Sequence, residues 1–323
     1  MYGCACAFVN PPLLTDFDEG DMRTTKRFSP AVLDRFIREG RGTGKRQEYV
    51  PWHKVSRGDP SSSGRSHWHL LDGRFSHLLS DVERTCLHFI SMMGGLEDCR
   101  EQYPLSLDDS THALVDYGVG NPLKLYPGTR AIAKELGYRH PQTHGSGASC
   151  EWVQTTDFLV VLNEVCNPQT PSAKSLLAIS VKPKTVLPKR TLQLLSIERS
   201  YWLTRGVDWI LFTPDLYVPE VKKTLERISP WTTKPVSHDA QQLAAAVARK
   251  FCNLAYRDLL TKLEAQFGSS NESMHALWQS VWNGLLPLDL KQPWHPTRPL
   301  KLLNQNEFNE LNPVACRRSS WNS

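Results

Sequence analysis

Lys182 closes an apolar run that begins at Leu176, and Pro183 follows it at once. Twenty-five residues earlier, Asp157 opens a second apolar run, Phe158 to Leu162. If both runs are strands, side chains alternate along them. Ser180 and Lys182 then share one face, with Leu177, Ile179 and Val181 on the other. A carboxylate and an ammonium at the ends of adjacent core strands can meet. The carboxylate would bind a hard divalent cation, and the lysine would orient or stabilise a water attacking a scissile phosphate. A plainer reading stands beside this one: Asp157 caps a turn and Lys182 snorkels to solvent. Glu83 raises the same choice. Ser80 to Glu83 matches the S-x-x-E capping box, but a helical glutamate can also reach a metal.

An acid, a spacer and then x-x-K is the PD-(D/E)xK arrangement of restriction-type nucleases. There both acids ligate the metal and the lysine follows the second acid by two. Here Ser180 stands at the second acid's position. The pattern is short, and many strands match it by chance.

The elements that would position these residues follow from periodicity. Residues 30–39 read as a short amphipathic helix, ending at the Gly-rich basic loop 40–46. A brief extended segment around 48–52 precedes a loop rich in Ser, Gly and Pro. Residues 76–93 read as a helix, with Val82, Cys86, Phe89, Ile90 and Met93 on one face. An extended segment follows at 99–105. Strands are expected at 156–163, 174–182 and 207–215, with a helix at 189–206 between the last two. That order gives an α/β core, and its β–α–β part favours parallel pairing. A boundary is expected near 229–238. Beyond it, helices over 238–266 and from about 271, then two short alternating stretches around a Pro-rich turn, outline a winged-helix module. The expected organisation is a weakly ordered segment 1–28, a catalytic domain 29–229, and a winged-helix-like domain with a polar tail, 230–323.

Composition narrows the class. The chain has 323 residues, 40% hydrophobic and 22% charged, ordinary for a globular protein with a sizeable core. Its longest apolar runs fall far short of the roughly 18–20 residues that cross a bilayer. The N-terminus lacks the basic start of a signal peptide. Eight scattered cysteines with no CxxC pair read as a reduced, cytosolic complement. The net charge is +5. Arg23 to Arg46 alone holds eight Lys/Arg against two acids, which suits either a solvated face or a polyanion-binding surface.

Several stretches together resemble the TnsA family, endonuclease subunits of heteromeric transposases, including those of CRISPR-associated transposons. They are REGRGTGKRQEYVPW (38–52), SSGRSH (62–67), HLLSDVE (77–83), REQYPL (100–105), TTDFLVV (155–161), ISVKP (179–183) and ERSYWLTRGVDWILFT (198–213). The resemblance implies a restriction-endonuclease-like core, a mixed sheet flanked by helices, plus a C-terminal winged-helix domain. It implies cleavage of the 5′ strands at transposon ends with Mg²⁺, for which Mn²⁺ substitutes. Double-stranded DNA, a TnsB-like transposase and a TnsC-like ATPase would be the partners, in the bacterial cytoplasm at the nucleoid, with no membrane. By motif, Glu83 and Asp157 are metal ligands, Val181 offers its carbonyl, and Lys182 is the catalytic lysine. Ser180 departs from the family's common Gln and reaches a metal only through water. Arg38, Arg41, Lys54, Arg65, His67 and Lys184 would contact DNA phosphates. Two rival functions remain: an inactive nuclease-fold scaffold bridging TnsB and TnsC, and a stand-alone nuclease.

Overall fold

In the computed structural model the described residues are 28–321, apart from 58, 60–64, 146 and 165–172. Helix α1 (Pro30–Arg38) is followed by a hairpin of β1 (His67–Leu71) and β2 (Arg74–Leu78), then α2 (Asp81–Ser91). Next come β3 (Leu96–Pro104), α3 (Thr129–Glu135) and a small hairpin of β4 (Gln142–Gly145) and β5 (Ala148–Glu151). The central run is β6 (Thr155–Glu164), β7 (Ala173–Val181), α4 (Lys189–Leu203) and β8 (Asp208–Phe212). Helices α5 (Pro219–Ile228), α6 (His238–Lys250), α7 (Tyr256–Phe267), α8 (Ser270–Trp282) and α9 (Gln305–Asn309) complete the chain.

Strands β3, β6, β7 and β8 form one sheet in that order. The first two pairings are antiparallel and β7–β8 is parallel, as the intervening helix α4 requires. The sheet is therefore mixed and flanked by helices. The long apolar runs arise because both faces are covered. Leu177, Ile179 and Val181 join Phe158 and Val160 in a core shared with α2, α5 and the C-terminal helices. Leu176 and Ala178 join Leu159 and Val161 in a second core against α4. The alternation expected along β7 holds, and it turns Ser180 toward α4.

Some boundaries differ. The helix expected over 76–93 begins only at Asp81, capped by Ser80, which is extended (φ −155°) and accepts the Glu83 N–H. Ser76 to Leu78 belongs to β2, paired with β1 out of the expected loop. The extended segment near 48–52 is irregular; residues Arg46–Glu48 form a single tight helical turn. The third strand is shorter than expected. The helix over 238–266 divides into α6 and α7, and α8 is capped by Ser269 rather than further along. The stretches after α8 meet in one isolated bridge, Leu288 to Leu302, not a full hairpin.

The segment expected to be weakly ordered, 1–28, lies outside the described residues except for Phe28. Its ring packs edge-on against Phe36 and Trp152. The polar tail returns to the sheet. Ser320 N–H donates to the Leu211 carbonyl at 2.9 Å, and the Leu211 N–H donates to Ser319 Oγ. Trp321 packs edge-on against Trp209. This covers part of the β8 edge, which would otherwise present unpaired backbone groups.

Candidate active site

The site forms where β6 begins and β7 ends. Pairing of these strands starts at Phe158 with Ile179. Asp157 lies one residue before it, so its carboxylate takes over from the backbone ladder: Oδ2 accepts the Val181 N–H at 2.6 Å. The same oxygen lies 3.3 Å from Lys182 Nζ, which also donates to the Val181 carbonyl at 2.9 Å. Lys182 is thus turned back into the site.

Glu83 arrives from the first turn of α2 and is 6% exposed. One oxygen accepts from the Leu79 N–H at 2.8 Å and the other from the Ser80 hydroxyl at 3.1 Å. The Ser80 cap is present, but the reciprocal bond of a full capping box is not: the carboxylate reaches past the Ser80 N–H to that of Leu79. Gln102 Nε2 on β3 lies 3.3 Å from Glu83 and 3.3 Å from Asp157. One amide therefore bridges oxygens of the two carboxylates. Gln102 holds an unusual positive φ of 50° to do so.

The electrostatics follow from burial. Desolvation, with the charge of Asp157, pushes the Glu83 carboxyl up to about 8. Burial opposes the Lys182 ammonium, but the neighbouring Asp157 and Glu198 carboxylates outweigh it and its pKa is raised. Burial holds the His53 imidazole down at about 4 against the pull of Asp157.

Glu198 is the component the spacing of Asp157 and Lys182 does not disclose. It projects from α4 and is 4% exposed. Its Oε1 accepts from Ser180 Oγ at 2.5 Å and from Thr156 Oγ1 at 2.8 Å. Those hydroxyls in turn accept from the indoles of Trp209, at 2.9 Å, and Trp202, at 2.6 Å. Burial raises the Glu198 carboxyl to about 7, against the opposing pull of Lys182. A buried acid from a helix therefore stands beside Ser180, and the Ser180 hydroxyl anchors it. A signal existed in the sequence: Glu198 sits between Leu194/Leu195 and Tyr201/Trp202, inside the apolar stripe of its helix. Gln102 left no such signal, because its role depends on a local backbone conformation.

Of the residues expected at phosphates, Arg38, Arg65 and Lys184 are exposed and Lys54 is half-buried. His67 is paired with Asp81 at 2.6 Å. Arg41 has a different job. It is 6% exposed, bonded to Asp59 at 2.8 Å and to the Trp52 carbonyl at 3.1 Å, with its guanidinium over the Phe36 ring. It staples the Gly-rich loop to the core. That loop needs its glycines for fit: Gly42 has φ +79° and a Cβ there would collide with Pro104.

The donor set suits a hard cation: two carboxylates facing one shared amide, plus a backbone carbonyl, all oxygen. Among the described residues no group of three or more His, Cys, Asp or Glu side chains forms a closed metal cluster.

Comparison with known proteins matches this frame. The family model described as TnsA-like endonuclease N terminal matches residues 98–214, a span holding Gln102, Asp157, Ser180, Lys182 and Glu198. The transposition protein TnsA of transposon Tn7 from Escherichia coli is 34% identical over 218 residues, 67% of this chain and 68% of that protein. The chain belongs to the TnsA family. It is thus related to a transposase endonuclease subunit, and the mixed sheet with its flanking helices is consistent with a restriction-endonuclease-like core. Glu83 lies upstream of the span matched by the family model. No helix among the described residues is long and apolar enough to cross a membrane.

Proposed function

We propose that this TnsA-family chain is the metal-dependent endonuclease that cuts the 5′ strands at transposon ends. The observation that carries the reading is Asp157, bonded at once to the Val181 N–H and Lys182 at the sheet's end, with Glu83 one amide away. Glu83, Asp157 and the Val181 carbonyl would hold Mg²⁺, or Mn²⁺ in its place. When bound, the ion supplies Lewis-acid stabilisation of charge on the phosphate. Lys182 adds a fixed positive charge beside the scissile phosphate and holds the attacking water by hydrogen bond. Asp157 fixes the lysine's position. Attack in line leaves a 3′-hydroxyl and a 5′-phosphate.

Arg38, Lys54, Arg65, His67 and Lys184 would contact DNA backbone, while sequence choice falls to a TnsB-like transposase and coupling to a TnsC-like ATPase. Residues 29–229 would form the catalytic domain and 230–323 a winged-helix-like domain, acting in the bacterial cytoplasm at the nucleoid. The scaffold alternative draws on Ser180. Against it stands the buried Glu198 carboxyl, held by the Ser180 hydroxyl and acting electrostatically on Lys182.

The test is end cleavage in a mixture with the TnsB- and TnsC-like partners and Mg²⁺. Asp157→Ala should abolish 5′-strand cutting and leave 3′ cutting and assembly intact. Undiminished 5′ cutting by that variant overturns the assignment.

A further inference from the structure

The β1–β2 hairpin stands outside the main sheet and has two unlike faces. Its inner face packs on α2: Leu78 is fully buried, and His69 meets His88 with ring centroids 5.2 Å apart. Its outer face is apolar and open. Trp68 is 64% exposed and Phe75 59%, with ring centroids 6.5 Å apart, and Leu70 completes the patch. Large aromatics left in water on a narrow ribbon call for an occupant.

The position of this face indicates the occupant. Cross-strand from Trp68, His77 accepts the Val55 N–H at 3.0 Å on Nδ1. The outer face therefore borders the Lys54–Val55 segment. At the hairpin's base, Leu79 donates to Glu83. Trp68, one pair in from that base, is thus the aromatic nearest the catalytic mouth, with Leu70 and Phe75 farther along toward the turn. Lys54 borders the outer face through the neighbouring Val55–His77 bond, exposed Arg65 lies just before β1 in the chain, and the hairpin's single acid, Asp72, sits apart in the turn. Apolar wedges beside basic residues suit DNA whose bases are partly unstacked, because every base offers a π-face regardless of sequence.

We propose that Trp68, with Phe75 and Leu70, forms a DNA-binding wedge that packs against an unstacked nucleotide beside the scissile phosphate. The proposal rests on the DNA-cleaving reading of the site. Glu83 is held by the residue that ends the hairpin, so a nucleotide lodged on the ribbon is fixed relative to the carboxylates.

The experiment uses the full-length chain with its partner transposase and transposon-end DNA carrying 2-aminopurine at successive positions around the cut. In the Asp157→Ala background, fluorescence should rise at one or two positions. Adding Trp68→Ala should reduce that rise by roughly fivefold or more, whereas Trp68→Phe should keep most of it, as expected for loss of one base–aromatic stack. In the cutting-competent chain, Trp68→Ala should slow 5′ cutting roughly tenfold, and a two-nucleotide mismatch at the cut should restore the rate. An unchanged 2-aminopurine signal in Trp68→Ala overturns the proposal. So does loss of the variant from the assembled complex without rescue by the mismatch, which marks the patch as a protein-docking surface. If the wild-type chain cuts nothing while the Trp68-dependent fluorescence persists, the nuclease reading fails and the wedge stands.

Discussion

Replacing Glu198 by Gln keeps the shape of the side chain and its Oε1 acceptor, so the Ser180 and Thr156 hydroxyls retain their partner. Only the ionisation is removed. In the native chain burial raises this carboxyl from an ordinary 4.5 to about 7. Between those values the folded state holds a proton that the unfolded chain has released. Stability must therefore fall as pH rises through the window from about 4.5 to 7, and stay low above it. A rise of this size corresponds to roughly 3 kcal/mol at about 1.36 kcal/mol per pH unit, with the attraction of Lys182 already included. Urea unfolding in EDTA at pH 5, 7 and 9 reads it. Wild type and Glu198→Gln should differ little at pH 5, and the variant should be more stable by roughly 3 kcal/mol at pH 9. A gap that does not change with pH, or a variant that loses ground as pH rises, would refute the placement of Glu198 as a buried, anchored acid.

Arg41→Ala should cost about 2 kcal/mol in urea unfolding, because buried Asp59 loses two of its bonds and keeps only part of its compensation from Arg35 at 2.7 Å. The salt dependence of DNA binding should not change, whereas Arg65→Ala should lower that slope by roughly one. Gln102→Ala should destabilise the chain more than Gln102→Gly, since glycine accepts the φ of 50° that alanine does not; equal losses would mean the backbone relaxes. Truncation after Arg318 removes the bonds of Ser319 and Ser320 to Leu211 and the Trp321 contact. The urea midpoint should drop by the equivalent of about 2 kcal/mol, and an unchanged midpoint would show that the tail does not brace β8.

Much of the core was legible because its signals are local. The runs at Phe158 and Leu176 are strands since such apolar stretches must be covered on both faces, and α4 between β7 and β8 made that pair parallel. Alternation correctly separated Ser180 from Val181. Ser80 was readable as a cap, but the residues before it were absorbed into the helix because Ser76 to Leu78 also fits a helical stripe. Pairing with β1, a contact across a turn, decided for strand. Arg41 looked like a surface cation because basic loops usually are; its burial depends on Asp59 and Phe36, which the sequence does not mark as its neighbours.

The sequence by itself determined which chemistry was possible. An acid and a lysine at the ends of two core strands, with a helical glutamate near them, allow metal-assisted phosphodiester hydrolysis because carboxylates bind a hard cation and an ammonium steadies charge on a phosphate. Only the tertiary structure decided how the site is completed. Ser180 is too short to act as the second acid, yet helix α4 lays Glu198 across it and Gln102 bends to bridge the other two carboxylates. These are contacts between residues far apart in the chain, set by how helix and sheet pack. No spacing along the sequence encodes them.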